Sequence, residues 1–139
     1  MRLDHVGLNV TDLDAAEKWY SEAFGLRAER RLRVDAFDLD IVMLISDEHG
    51  YRFELLHRPG GTTGLRAGTP PEAALTHGYG HAAFDVPDLH GAYQRLLDLG
   101  ATSVMPPVQS PEKGVHMAWV ADPEGNLLEL LDRSAINGQ

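Results

Sequence analysis

The chain of 139 residues contains no cysteine. That excludes a disulfide framework, a thiolate nucleophile and a Cys-ligated zinc site. No stretch approaches the roughly 18 apolar residues of a membrane span. The opening MRLDHVGLNV lacks the apolar run of a secretory signal. Basic residues are scarce: 12 Lys and Arg stand against 21 Asp and Glu, for a formal net charge of −9. A nucleic-acid binder needs clustered cations for phosphate, and an anionic membrane repels such a chain. The expectation is a cytoplasmic protein with neither partner. Hydrophobic residues make up 43%, enough for one domain spanning 1–139 with a real core.

What is present is a duplication. LDHVGLNVTDLDAAEKWYSEAFGL near the start is echoed by YGHAAFDVPDLHGAYQRLLDLGA. YRFELLHR is echoed by NLLELLDR. His5 maps onto His81 and Glu54 onto Glu129. One His and one Glu per copy give two of each after pairing, a set that suits a divalent metal.

The element pattern repeats too. Val6, Leu8 and Val10 alternate with His5, Gly7 and Asn9, which predicts a strand over 2–10. Thr11 or Asp12 caps a helix with Leu13, Ala16, Tyr20 and Phe24 on one face, and Gly25 stops it. Strands follow at 32–37, 39–45 and 51–56, with a turn over 47–50. The first module covers about 1–58. Gly, Pro and Thr mark 59–78 as a connection, with a helical turn expected at 71–75. The second module, about 79–133, repeats the order. It has a strand at 81–86, then a helix capped by Asp88 and closed by Gly100. Strands follow at 102–105, 115–121 and 127–131, with a tight turn over Asp122–Asn126. Each module alone exposes an apolar sheet face, so the two are expected to pack as one α+β domain.

Strand alternation places the chemistry. Val6 and Leu8 point under the helix and His5 points away. Phe53 and Leu55 flank Glu54, and Leu128 and Leu130 flank Glu129. All four ionisable residues therefore project from the face opposite the helices. A carboxylate within an apolar strand is costly unless neutralised. A lone strand His is more often a hydrogen-bonded structural residue, and Glu54 could instead pair with Arg52 two residues away. Joint repetition of residue, strand and flanks favours a shared cation.

The motifs LDHVGLNVTDLDAAEKWYSEAFGL, YRFELLH, GYGHAAFDVPDL and WVADPEGNLLELL resemble the vicinal oxygen chelate superfamily of glyoxalases, bleomycin-resistance proteins and extradiol dioxygenases. The resemblance implies two tandem βαβββ modules forming a cupped mixed sheet around a metal. It implies His5, Glu54, His81 and Glu129 as the metal ligands. A full two-His, two-Glu set resembles lactoylglutathione lyase most closely. Extradiol dioxygenases use two His and one Glu, and bleomycin-type binders usually lack the set. The implied activity is a lyase or isomerase moving a proton on a small substrate that chelates the metal through vicinal oxygens. A non-catalytic small-molecule binder or an iron(II) dioxygenase is the alternative. The resemblance also implies a homodimer.

Four protein ligands leave room on the cation for a substrate with neighbouring oxygens, and a base must take the proton. Glu54 and Glu129 are the acids the pattern places there, so one of them is the expected base. The nitrogen and oxygen set accepts zinc, nickel, cobalt, manganese or iron(II). His116, in VHMAWVADPEG, is a candidate substrate contact whose face depends on hairpin register. Met117 and Trp119 are expected in the core or an interface. Arg30, Arg31 and Arg33 are candidate substrate-carboxylate contacts by charge alone. His77 and Tyr79 are expected in a loop. His49, His90, Glu17 and Lys18 are expected in solvent. His57 falls on the Phe53 side, away from the metal face.

Overall fold

The computed structural model describes residues 1–64, 66 and 68–137. Residues 65 and 67 of the connection and 138–139 of the tail lie outside the described residues. The chain divides into two compact units, Met1–Thr62 and Thr63–Gln139. The division falls within the expected connection.

The first unit runs β1 (Val6–Asn9), α1 (Leu13–Phe24), β2 (Arg27–Val34), a 3₁₀ turn (Asp35–Phe37), β3 (Leu39–Ile45) and β4 (Arg52–His57). Its sheet has the order β1-β4-β3-β2, with β1 parallel to β4 and the other pairs antiparallel. Helix α1 starts where Asp12 accepts the Ala15 amide at 3.0 Å. It ends at Gly25, whose φ of 64° is left-handed and cheap only without a Cβ. Its inward face is broader than the spacing predicts: Trp19 and Ala23 join Ala16 and Tyr20 in the core. They pack on Val42, Leu44, Phe53 and Leu55, with Tyr20 and Phe53 ring centroids 5.4 Å apart.

The second unit repeats this plan: α2 (Pro70–Ala73), β5 (His81–Asp85), α3 (Leu89–Asp98), β6 (Thr102–Gln109), β7 (His116–Ala121), β8 (Leu127–Asp132) and α4 (Ser134–Asn137). The sheet order is β5-β8-β7-β6, with β5 parallel to β8. Asp88 caps α3 by accepting the Gly91 amide. The architecture is thus α+β, two βαβββ modules, each with a four-stranded mixed sheet.

Three strands differ from the sequence reading by more than two residues at a boundary. β1 begins at Val6 rather than Arg2, because only Val6 to Asn9 have ladder partners on β4. β2 covers 27–34, not 32–37; it is an edge strand of Arg and Glu, so hydrophobic alternation cannot reveal it. β6 runs through Pro106 and Pro107 to Gln109. An edge strand with register shifts tolerates residues that cannot donate to a ladder.

The β7–β8 turn is set by Asp122, which is 4% exposed. Its carboxylate accepts from the Glu124 and Asn126 amides at 2.9 and 2.8 Å and from the Asn126 side chain at 2.9 Å. Replacing Asp122 by Ala removes an acceptor with three donors. Urea denaturation should show a loss of about 2–4 kcal/mol, since each bond to an ionised group contributes about 1.5–3 kcal/mol less partial solvation of the freed donors. An unchanged midpoint would show that the turn holds without its side-chain acceptor.

Candidate metal centre

In the first unit, Glu54 lies in the middle of β4, and Gly7 of β1 is its ladder partner. His5, two residues before Gly7, comes to the same face, with its Nε2 3.7 Å from Glu54 Oε2. A Cβ placed on Gly7 would lie 3.9 Å from Glu54 Oε1, an ordinary contact. The second unit shows the same contact allowed: Ala83 is the ladder partner of Glu129. There His81 Nε2 lies 3.2 Å from Glu129 Oε2. Both glutamates are half-buried, with 21% and 15% of their side chains exposed. Their strand neighbours Phe53, Leu55, Leu128 and Leu130 are buried on the other face. His5 thus meets Glu54 and His81 meets Glu129, one pair in each unit. Within either unit, no third His, Asp or Glu joins the pair as a metal-holding group among the described residues.

The separations bear on what the pairs can hold. A charge-assisted hydrogen bond closes to about 2.7–2.9 Å. Two donors on one cation, each at about 2.0–2.2 Å and at right or tetrahedral angles, lie about 2.9–3.6 Å apart. The observed 3.2 and 3.7 Å sit nearer the second range. Imidazole nitrogen and carboxylate oxygen are also the donor types that first-row divalent metals accept. The residues fit such an ion.

His5 has a partner that sequence reasoning missed. Its Nδ1 is 2.8 Å from Asp4 Oδ2. A proton on Nδ1 donated to Asp4 leaves Nε2 with a lone pair aimed at the Glu54 side. The hydrogen bond from His5 is the chief reason that the Asp4 carboxyl stands below its ordinary value. Neighbours in a strand point to opposite faces, so no strand pattern predicts this contact. It arises because His5 precedes the ladder and the chain is free to turn Asp4 back. Replacing Asp4 by Ala should lower metal affinity about 10–100-fold, the usual cost of losing a partner behind a His ligand. Competition with a chromophoric chelator measures it. An unaltered constant would leave Asp4 a solvent-exposed bystander.

The second unit supports His81 differently. Trp119 is the ladder partner of Glu129, and its ring lies edge-on to His81, with centroids 4.5 Å apart at 68°. Trp119 is 6% exposed and packs with Ala73 of α2 and Leu127. It is a core residue, as expected, and also a wall against His81. His116 does not share that face. It is the ladder partner of Asp132, so alternation places it with Leu128 and Leu130, opposite Glu129. The expected substrate contact at His116 is therefore corrected by the register.

Arg52 does not take up Glu54. It is held bidentately by Glu29 at 2.8 and 2.9 Å, and that hydrogen bonding holds the Glu29 carboxyl below its ordinary value. His57 turns away as expected, with Nδ1 3.0 Å from the Val10 carbonyl oxygen. Glu17 was expected in solvent, but only 19% of its side chain is exposed, and Arg31 of β2 pairs with it from the sheet beneath helix α1. Lys18, His49, His77, Tyr79 and His90 are exposed. A cleft of about 810 Å³ opens on the helix side of the first unit, but its Arg31 and Arg33 are engaged by Glu17 and by Asp35, Asp38 and Asp40. No helix is long and apolar enough to cross a membrane among the described residues.

The chain and its fold are similar to those of several known proteins. Biphenyl-2,3-diol 1,2-dioxygenase 3 of Rhodococcus globerulus is 29% identical over 129 residues, which are 93% of this chain and 62% of that protein. Lactoylglutathione lyase of Pseudomonas aeruginosa is 27% identical over 158 aligned positions, covering 98% of this chain and 84% of that one. Among solved structures, a point mutant of glyoxalase I from Zea mays superposes with a TM-score of 0.75 at 25% identity over 98% of this chain. The chain spans only 47% of the maize protein. A glyoxalase family protein from Bacillus cereus gives a TM-score of 0.75 at 26% identity, covering 95% of this chain and 93% of that one. The family model described as Glyoxalase/Bleomycin resistance protein/Dioxygenase superfamily matches residues 2–130, and the chain belongs to that superfamily.

Proposed function

We propose that this protein is a metal-dependent lyase or isomerase of the glyoxalase type. It moves a proton on a small substrate that chelates a divalent ion through vicinal oxygens. The observation that carries the reading is the duplicated pair, His5 with Glu54 and His81 with Glu129, at 3.7 and 3.2 Å. The four side chains together hold the ion, and residues 1–139 work as a single domain. The ion is zinc, nickel, cobalt, manganese or iron(II). Once bound, it supplies Lewis acidity to a substrate oxygen and so eases loss of the neighbouring proton.

The chain supplies the rest. His5 and His81 present neutral nitrogen, His5 being oriented by Asp4 and His81 by Trp119. Glu54 or Glu129 accepts the proton on a carboxylate oxygen and returns it. Buried Phe53 and Leu55 behind Glu54, and Leu128 and Leu130 behind Glu129, limit the motion of each glutamate to the open face. The partner is a small molecule, with neither nucleic acid nor membrane, and the protein acts in the cytoplasm as a homodimer.

The relation to a biphenyl-diol dioxygenase supports a second reading, an iron(II) extradiol dioxygenase. Purified protein loaded with defined metals should be tested with hemithioacetals, acyl-CoA thioesters and catechols. Isomerisation or lyase turnover without oxygen consumption supports the first reading. Oxygen uptake with catechols and iron(II) supports the second. Metal-free protein that binds such compounds unchanged would make it a non-catalytic binder.

A further inference from the structure

The chemistry of β2 points to one unused group. Five arginines lie on β2 and β4, and four are committed. Arg27 pairs with Asp47, Arg31 with Glu17, Arg33 with Asp35, Asp38 and Asp40, and Arg52 with Glu29. The Arg30 guanidinium makes no hydrogen bond or ion pair among the described residues. Its charge is felt by the adjacent Glu29, but Arg52 already holds that carboxylate bidentately.

The backbone explains where Arg30 stands. Alternation from Arg27, the partner of Ile45, would send residue 30 to the helix side. The register shifts between Ala28 and Arg30, so that Glu29 is extra and Arg30 faces Met43. Met43 is in turn the partner of Glu54. The bulge thus moves Arg30 onto the face that carries Glu54, two strands away, about 9–10 Å between Cα atoms. The second unit has a register shift at the same place, between Ser103 and Met105, and Met105 stands opposite Trp119, the partner of Glu129. The two copies keep the bulge and the face but differ in chemistry: cationic Arg30 in one, apolar Met105 in the other.

We propose that Arg30 determines specificity by binding a carboxylate on the substrate held at the Glu54 pair. This rests on the chelating-metal reading above. The substrate class is then a vicinal-oxygen compound bearing a carboxylate a few carbons from the reacting centre. A guanidinium with no internal partner can give both parallel N–H groups to a carboxylate, a fork that no lysine reproduces.

The test uses zinc-loaded full-length protein and hydroxamates, which chelate through two neighbouring oxygens. Isothermal titration compares the succinic and glutaric monohydroxamates with uncharged butano- and pentanohydroxamate. The carboxylate-bearing probes should bind wild type about tenfold more tightly, the effect of one charge-assisted pair at an exposed site. In Arg30→Met, which copies the second unit, that preference should vanish while the uncharged probes bind as before. Arg30→Lys should keep only part of it, and added salt should shrink it in wild type. Equal affinity of charged and uncharged probes in wild type, or a preference that survives in Arg30→Met, overturns the role of Arg30. Failure of the uncharged probes to bind zinc-loaded wild type overturns the chelation reading, and this inference with it.

Discussion

The variant His5→Ala/His81→Ala should bind no divalent metal under conditions where the parent takes up about one ion per chain, one for each four-donor set. Each unit contributes one of the two strand-borne His–Glu pairs. Two donors make a weak site for a first-row ion, and four make a strong one. The single variant His5→Ala should therefore lower occupancy throughout. If the pairs acted as separate sites, it would lower occupancy by half, from two ions to one. Equilibrium dialysis followed by elemental analysis distinguishes these results. Uptake in the parent should also weaken as the solution is acidified, because imidazole must be neutral and carboxylate ionised to coordinate. A stoichiometric ion in the double variant would remove these residues from the metal site altogether.

Glu54→Gln and Glu129→Gln should separate chemistry from binding. An amide oxygen remains a donor of similar size, so occupancy is largely kept. It cannot accept a substrate proton at neutral pH. Loss of a general base costs about 10²–10⁴ in rate. The two glutamates have matching strand positions but different surroundings: Met43 stands beside Glu54, and buried Trp119 beside Glu129. The larger loss identifies the base. Turnover and metal are measured on the same sample, so that a drop from lost metal is not mistaken for lost chemistry. Near-parental turnover in both variants would rule out proton transfer through a ligand glutamate.

His5, Glu54, His81 and Glu129 stood out in the sequence because the signal was doubled. Glu54 and Glu129 each interrupt a run of leucine and phenylalanine, and each strand is central in its sheet. Period-two alternation is reliable there, since one face must be buried. The helices were legible for the same kind of reason: Asp12 and Asp88 cap them, and Gly25 is in the left-handed region that ends α1. Asp4 was not legible, because it lies outside the ladder and follows no periodicity. The pairing of Glu17 with Arg31 was also hidden, since it joins a helix to an edge strand with no local pattern.

The sequence by itself determined the duplication, the order of elements in each module, and the residues on the buried side of the central strands. These follow from local capping and from the need to cover apolar side chains, which act within a few residues along the chain. Only the tertiary structure decided the registers. A shift of one residue reverses every side chain that follows it. The β7–β8 register put Trp119, not His116, beside Glu129. The bulge at Glu29 put Arg30 on the face that carries Glu54, in an edge strand whose charged residues carry no hydrophobic alternation from which to read it. Register is set by pairing between strands distant in sequence, and no single strand contains that information.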